Sequence, residues 1–220
     1  MITLFPAHIR ATGERQSVRE HCRNTAALAA NALRPLGLEK SAYLAGLLHD
    51  AGKSKQEYAQ YLSEAVSGGN AVRGSVNHTF AGVRFLLDRW HCGEGDLSYS
   101  DVTVELLAFA VGSHHGLFDC IGPQQHSGFF HRQTKEGIFY DESRRGFLAQ
   151  VADEKELERL FHSALRERTP ILDRLAALST QSDDNEANRE TAFYIGLLAR
   201  ILLSAVIEGD RTDTAAFMDG

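Results

Sequence analysis

The run YLAGLLHDAGK at residues 43–53 constrains this chain more than any other stretch. Leu44, Leu47, Leu48 and Ala51 recur at i, i+3, i+4 and i+7, the apolar stripe of an α-helix facing a core. The opposite face holds Gly46, His49 and Asp50, where a helix meeting water would carry long charged side chains. Such a helix has something packed or bound on both sides. Gly52 is placed to stop it, and Lys53 joins the His-Asp face if the helix runs that far. An adjacent His and Asp on one helix project about 100° apart. Neutral imidazole with carboxylate suits a borderline or hard divalent metal, and one carboxylate can bridge two ions where an imidazole binds one. The dipeptide by itself reads equally well as a solvated helix end, so the weight lies in what surrounds it.

Nearly every other periodic signal is helical as well. Ser17 and Glu20 fit a capping box opening a helix to about Leu33, ended by Pro35 and Gly37. The second helix covers residues 41–51. Ser54 is placed to cap a third, Asn77 a fourth carrying Phe80, Val83, Leu87 and Trp90, and Asp101 a fifth carrying Val104, Leu107 and Val111. Residues 67–75 are rich in Gly and Ser and read as a loop. Residues 116–146 have no clean period and read as a long loop, of the kind that is usually functional or mobile. Two helices are expected over 154–178, broken near Pro170. A polar loop over 179–188 follows, then a last helix over 190–208. No internal repeat and no second domain is visible, so the expectation is one all-α domain over residues 1–220.

The length of 220 residues suffices for one large core. The longest apolar stretch, 193–207, contains Gly196, Arg200 and Ser204 and falls short of the ~20 residues of a membrane span, so it reads as a buried central helix. No secretory signal pattern opens the sequence. Cys22, Cys92 and Cys120 form no C-x-x-C pair, which gives neither a disulfide framework nor a thiolate zinc site. Free thiols suit the cytoplasm. A net charge of −6 argues against holding nucleic acid by bulk electrostatics.

The histidines are placed in a pattern. His21 borders the apolar face of the first helix, and His78 follows Asn77, where a helix dipole disfavours imidazolium. His114 and His115 end the fifth helix, with His114 in phase with Leu107 and Val111. Asp210 ends the most apolar helix, where a carboxylate is expensive unless paired or metal-bound. Taken singly, His21 and His114 read as satisfied core histidines, His78 as a surface residue and Asp210 as a solvated helix end. Together, five helices each deliver an inward or terminal His or Asp.

This order resembles the HD superfamily of metal-dependent phosphohydrolases. More closely, it is similar to the HD nuclease domain of the CRISPR-associated nuclease–helicase of type I interference systems. The matching stretches are AH at 7–8, LLHDAGKSK at 47–55, NHTFAG at 77–82, SHHGLFD at 113–119 and DRTDT at 210–214. The adjacent histidines discriminate, because many single-metal HD enzymes lack them. The resemblance implies a single compact helical HD domain with a central dinuclear site. His21, His49, Asp50 and Asp210 would hold one ion. Asp50, His78, His114 and His115 would hold the other, with Asp50 bridging. Lys53 would contact phosphate or stabilise developing charge, so that Asp50 and Lys53 are the catalytic candidates. The donor set suits Fe, Mn, Co or Ni better than Mg.

The implied activity is metal-dependent cleavage of single-stranded DNA in antiviral CRISPR interference. The partners would be a helicase, fused or separate, and an RNA-guided surveillance complex, in the cytoplasm and without a membrane. The chain then stands alone or forms the front of a longer nuclease–helicase. The alternative is an HD phosphohydrolase acting on nucleotides or other small phosphoesters, and a third reading is a metal-binding or docking module without turnover. Outside the motifs, Arg132, Lys135, Arg144 and Arg145 could rim a DNA path, and Phe129, Phe130 and Tyr140 could stack bases, although loop aromatics more often pin a loop to the core. His91, His126, His131 and His162 have no partner motif.

Overall fold

The chain enters its first helix through a short hairpin. In the computed structural model, which describes residues 4–72, 74–93, 97–117, 129, 132, 138–179 and 184–220, β1 (Pro6–Ile9) pairs antiparallel with β2 (Arg15–Ser17). Its register sets His8 opposite Gln16, with an irregularity between Pro6 and His8. Ser17 then caps α1 (Val18–Leu33), and the Ser17–Glu20 capping box forms as the spacing predicts. A 3-10 turn, Arg34–Leu36, ends at Gly37 with φ +68.

Helix α2 (Glu39–Leu48) is buried on both faces beyond its partly exposed first turn, with Ala42, Leu44, Ala45, Leu47 and Leu48 inaccessible to solvent. That is the two-faced burial its sequence demanded. Burying each such leucine contributes about 1.5–3 kcal/mol, so α2 is the centre around which the other helices gather. It touches α1, α5 (Tyr99–Ser113), α7 (Glu154–Ser179) and α8 (Asp184–Asp219). Its N-terminus is closed from α7, where the Glu167 carboxylate accepts from the Lys40 and Ser41 amides at 2.8 Å each. Two more helices, α3 (Gln56–Val66) and α4 (Phe80–Trp90), follow α2, and α6 (Tyr140–Gln150) precedes α7.

Several boundaries differ from the sequence expectation. Helix α2 stops at Leu48 rather than Ala51, so His49 and Asp50 lie in the turn after it, and Lys53 ends a 3-10 turn (Ala51–Lys53). Gly52 is therefore not a left-handed helix stop. Its role is close approach: a Cβ there would sit 2.0 Å from the His78 carbonyl oxygen. Gly82 serves likewise, since its Cβ would come 2.1 Å from the Leu48 carbonyl. These two glycines let the backbone around 78–82 press onto the end of α2.

The cap of α3 is Lys55, not Ser54, and that of α4 is Thr79, not Asn77. Ser98 caps α5, with Asp101 at the third helical position completing a capping box. The expected loop at 116–146 gives way to α6 at Tyr140. Pro170 does not break α7, because Leu172 and Leu175 beyond it still pack into the core. The last helix runs to Asp219, so Asp210 is interior to it.

Helix α8 is long and apolar enough to cross a membrane by length and composition, contrary to the shorter stretch read from sequence. Here Leu198, Leu202, Leu203 and Val206 pack into the common core, whereas Phe193, Tyr194 and Leu197 are exposed. It is thus a core helix only from about residue 198 onward.

Candidate metal centre

The ends of α2 and α5 point at one spot, and each end is finished by its own histidine. His49 Nδ1 lies 2.7 Å from the Gly46 carbonyl and His114 Nδ1 lies 2.6 Å from the Val111 carbonyl, both three residues back. Those carbonyls are among the last of their helices, which lack intrahelical partners. A carbonyl can only accept, so Nδ1 carries the proton in each ring and Nε2 faces away with its lone pair when the ring is neutral. The same local bond therefore closes a helix and aims a ligand atom. His78 is held in the same sense, its Nδ1 3.1 Å from the Val76 carbonyl. His21, inside α1, uses a carboxylate instead: its Nδ1 lies 2.7 Å from Asp213 Oδ2.

The four Nε2 atoms converge on Asp50. His21 Nε2 and His49 Nε2 each lie 3.2 Å from Asp50 Oδ2, and 3.3 and 3.7 Å from Asp210 Oδ1. On the other side, His114 Nε2 and His78 Nε2 lie 3.6 and 3.8 Å from Asp50 Oδ1. His115 joins this side, its Nε2 2.9 Å from that of His78. Asp50 thus turns one oxygen to each group of histidines.

Two sets of ligand atoms could each hold an ion: His21, His49, Asp50 and Asp210, with donor atoms mutually within 4.8 Å, and Asp50, His114 and His115, by the same measure. His78 stands beside the second. All seven expected ligands are therefore brought together. Asp210 reaches the centre from the middle of α8, not from its end.

The donor chemistry fits divalent ions. His21 Nε2 and His49 Nε2 face each other at 3.2 Å, and each ring also has an acceptor at its Nδ1. Two lone pairs at that distance repel unless a cation or an extra proton lies between them. Asp50 Oδ1 and His114 Nε2 are buried with no hydrogen-bond partner among the described residues, a costly state for polar atoms. Metal-ligating histidines are recognised by an outer partner that fixes the far nitrogen, and that arrangement is present for His21, His49, His78 and His114.

Charge in the centre is organised around Asp50. Burial would raise its pKa, but Lys53, His49, His114 and His21 hold it well below the usual carboxylate range. Lys53 Nζ sits 2.7 Å from Asp50 Oδ2, and its own pKa is raised: burial opposes this, and Asp50 outweighs burial. For His49, burial is likewise overcome by Asp50 and Asp210, leaving its pKa at about 10. The second side behaves oppositely. Burial pushes His78 down to about 3 and His115 to about 4.

Two neighbours were not singled out by the sequence reading. Asp213 lies three residues after Asp210 on the same helical face, a spacing that could have marked it. Tyr58 packs 5.1 Å from the His78 ring and carries no recognisable signal. His8, noted only within its motif, meets the His21 ring edge-on at 4.6 Å. Of the residues offered as a DNA rim, Arg144 is paired with Glu154, Phe129 packs on Phe80, and Tyr140 lies under Arg84. Loop aromatics here pin to the core. Asp119, Phe130, Lys135, His126, His131 and Cys120 lie outside the described residues, and Cys22 and Cys92 are free thiols.

No curated protein matches the chain. The sequence profile of the HD domain matches residues 18–125, the span that supplies every ligand above except Asp210. The all-α architecture and the His/Asp centre agree with this match, which supports placing residues 18–125 with the HD superfamily of metal-dependent phosphohydrolases.

Proposed function

We propose that this domain is a two-metal nuclease that cuts single-stranded DNA during CRISPR interference. The observation that carries the reading is Asp50, whose two oxygens face two separate groups of imidazoles. A pair of divalent ions in a site of this kind activates water and clamps a phosphodiester. His21, His49 and Asp210 would hold one side, and His78, His114 and His115 the other. Lys53 keeps Asp50 ionised and lies beneath the Tyr58 ring at 5.6 Å, close enough to counter charge gathering on a phosphate. Fe, Mn, Co or Ni suits the imidazole-rich set.

The acidic net charge of −6 gives weak long-range attraction for DNA. An ATP-driven helicase, fused or separate, would then feed the strand displaced by an RNA-guided surveillance complex, in the cytoplasm. A second reading is favoured by the first ligand group, which is complete without the second: an HD phosphohydrolase acting on nucleotides or other small phosphoesters.

The two readings part in one assay. The purified chain is loaded with manganese, iron, cobalt or nickel and offered single-stranded DNA, duplex DNA and mononucleotides. The nuclease reading expects cleavage of single strands, lost in His114→Ala and His115→Ala. Preference for mononucleotides, or normal DNA cleavage by either variant, replaces it with the phosphohydrolase. Tight sequence-specific duplex binding by the chain alone would contradict the need for a helicase.

A further inference from the structure

Asp213 accepts three N–H bonds at one buried carboxylate. His21 Nδ1 and Gln16 Nε2 lie 2.7 and 2.8 Å from its Oδ2, and Asn24 Nδ2 lies 2.8 Å from its Oδ1. The residue is 6% exposed, yet α8 has no need of a carboxylate there to remain a helix. Burying a charge is costly unless it is paired and hydrogen-bonded, so the donors on β2 and α1 are what make Asp213 tolerable. They also fix its position relative to His21.

The other side of the His21 ring explains why that position matters. Its Nε2 lies 3.2 Å from Asp50 Oδ2 and 3.3 Å from Asp210 Oδ1. Both carboxylates can accept an N–H bond from the ring, as Asp213 does. A neutral His21 has one N–H, and three carboxylates compete for it. If Asp50 or Asp210 wins, the proton sits on Nε2 and the ring cannot be a ligand. If Asp213 wins, Nε2 keeps its lone pair.

We propose that Asp213, clamped by Gln16 and Asn24, is a positioning residue that decides the tautomer of His21 and thereby its competence as a metal ligand. The Asp213 carboxylate is engaged by His21, Gln16 and Asn24, so it would act through His21 rather than as a ligand itself. The proposal rests on the metal-centre reading but not on which phosphoester is cut. It also gives the hairpin a function, since β2 carries Gln16 to the carboxylate.

The test uses the whole chain and two readouts that need no substrate. Long-range ¹⁵N–¹H correlation spectra of metal-free protein, held above the pH at which His21 titrates, report which ring nitrogen carries the proton. Wild type is expected to show Nδ1–H, and Asp213→Ala to show Nε2–H. Manganese titration should then give a Kd raised about 10–100-fold in Asp213→Ala, the usual cost of losing an outer partner. Asp213→Asn can still offer an amide oxygen to Nδ1–H and should recover most of that loss.

A wild-type His21 already protonated at Nε2 overturns the proposal, whether or not the variants fold. So does an Asp213→Ala protein that folds and binds manganese like wild type. If wild type binds no divalent ion while its His21 shows Nδ1–H, the metal-centre reading fails and the tautomer assignment stands.

Discussion

The two sides of Asp50 are built differently. The first, with His21, His49 and Asp210, is drawn from α1, the end of α2 and the middle of α8, and both of its histidines are fully buried. The second, with His78, His114 and His115, is drawn from the approach to α4 and the end of α5. There His115 is exposed and the His78 side chain is 19% exposed. The first side is rich in carboxylate and raises the pKa of its histidines. The second shares only one oxygen of Asp50 and lowers the pKa of His78 and His115. With two ions bound as proposed, a site of this shape would enclose one and leave the other accessible to substrate and exchange.

Asp50→Ala tests that comparison most severely, because it removes the one group common to both sides. Turnover should fall by about 10²–10³-fold or more, the scale seen when a group stabilising the transition state is lost, with metal content lost and helical circular dichroism retained. Near wild-type activity in this variant breaks the shared-carboxylate picture.

The sides can next be removed one at a time. His49→Ala should eliminate the tightly held ion. His115→Ala should weaken only the second, by about 10–100-fold. Elemental analysis after dialysis reads the difference, and equal losses in both variants would mean that the sides do not differ in affinity.

Gly52→Ala acts on the join between them. The new Cβ would meet the His78 carbonyl at 2.0 Å, so either segment must move. Overpacking of this kind costs about 1–3 kcal/mol, read as a lower urea midpoint, and displacement of His78 should weaken the second ion more than the first. An unchanged midpoint would show that the close approach is easily relaxed.

The smallest effect expected is on the pH dependence of the metal-free protein. The raised pKa of His49, about 10, contributes stability that is fully present below its unfolded value near 6.5 and is lost as pH rises toward 10. The lowered values of His78, about 3, and His115, about 4, work the other way. Their unfolded forms bind protons first, so stability falls as pH drops below about 6.5. Saturating metal should remove the alkaline loss, because neutral ligand is then required. Denaturation midpoints across the pH range, with and without manganese, give the check.

Much of the centre was legible in the chain. The stripe at Leu44, Leu47 and Leu48 marks a core helix, and the missing solvent face at Gly46, His49 and Asp50 marks something beyond it. These signals are local, because a helix brings residues three and four apart onto one face. The capping box at Ser17 and Glu20 is local in the same way. Boundaries were less legible, as at Leu48, Thr79 and Ser98, where competing caps differ by little energy and packing chooses between them.

Residue types and helical phase by themselves determined an all-α fold and a pool of His and Asp at helix faces and ends. Tertiary structure decided which atoms meet. That His49 leaves its helix to close a carbonyl, that Gly52 and Gly82 bring His78 to Asp50, and that α8 continues through Asp210 to place Asp213 behind His21 all depend on contacts between segments far apart in the chain. Local periodicity carries no information about such distances. They are set by how α1, α2, α5 and α8 pack around a core that tolerates few alternative arrangements.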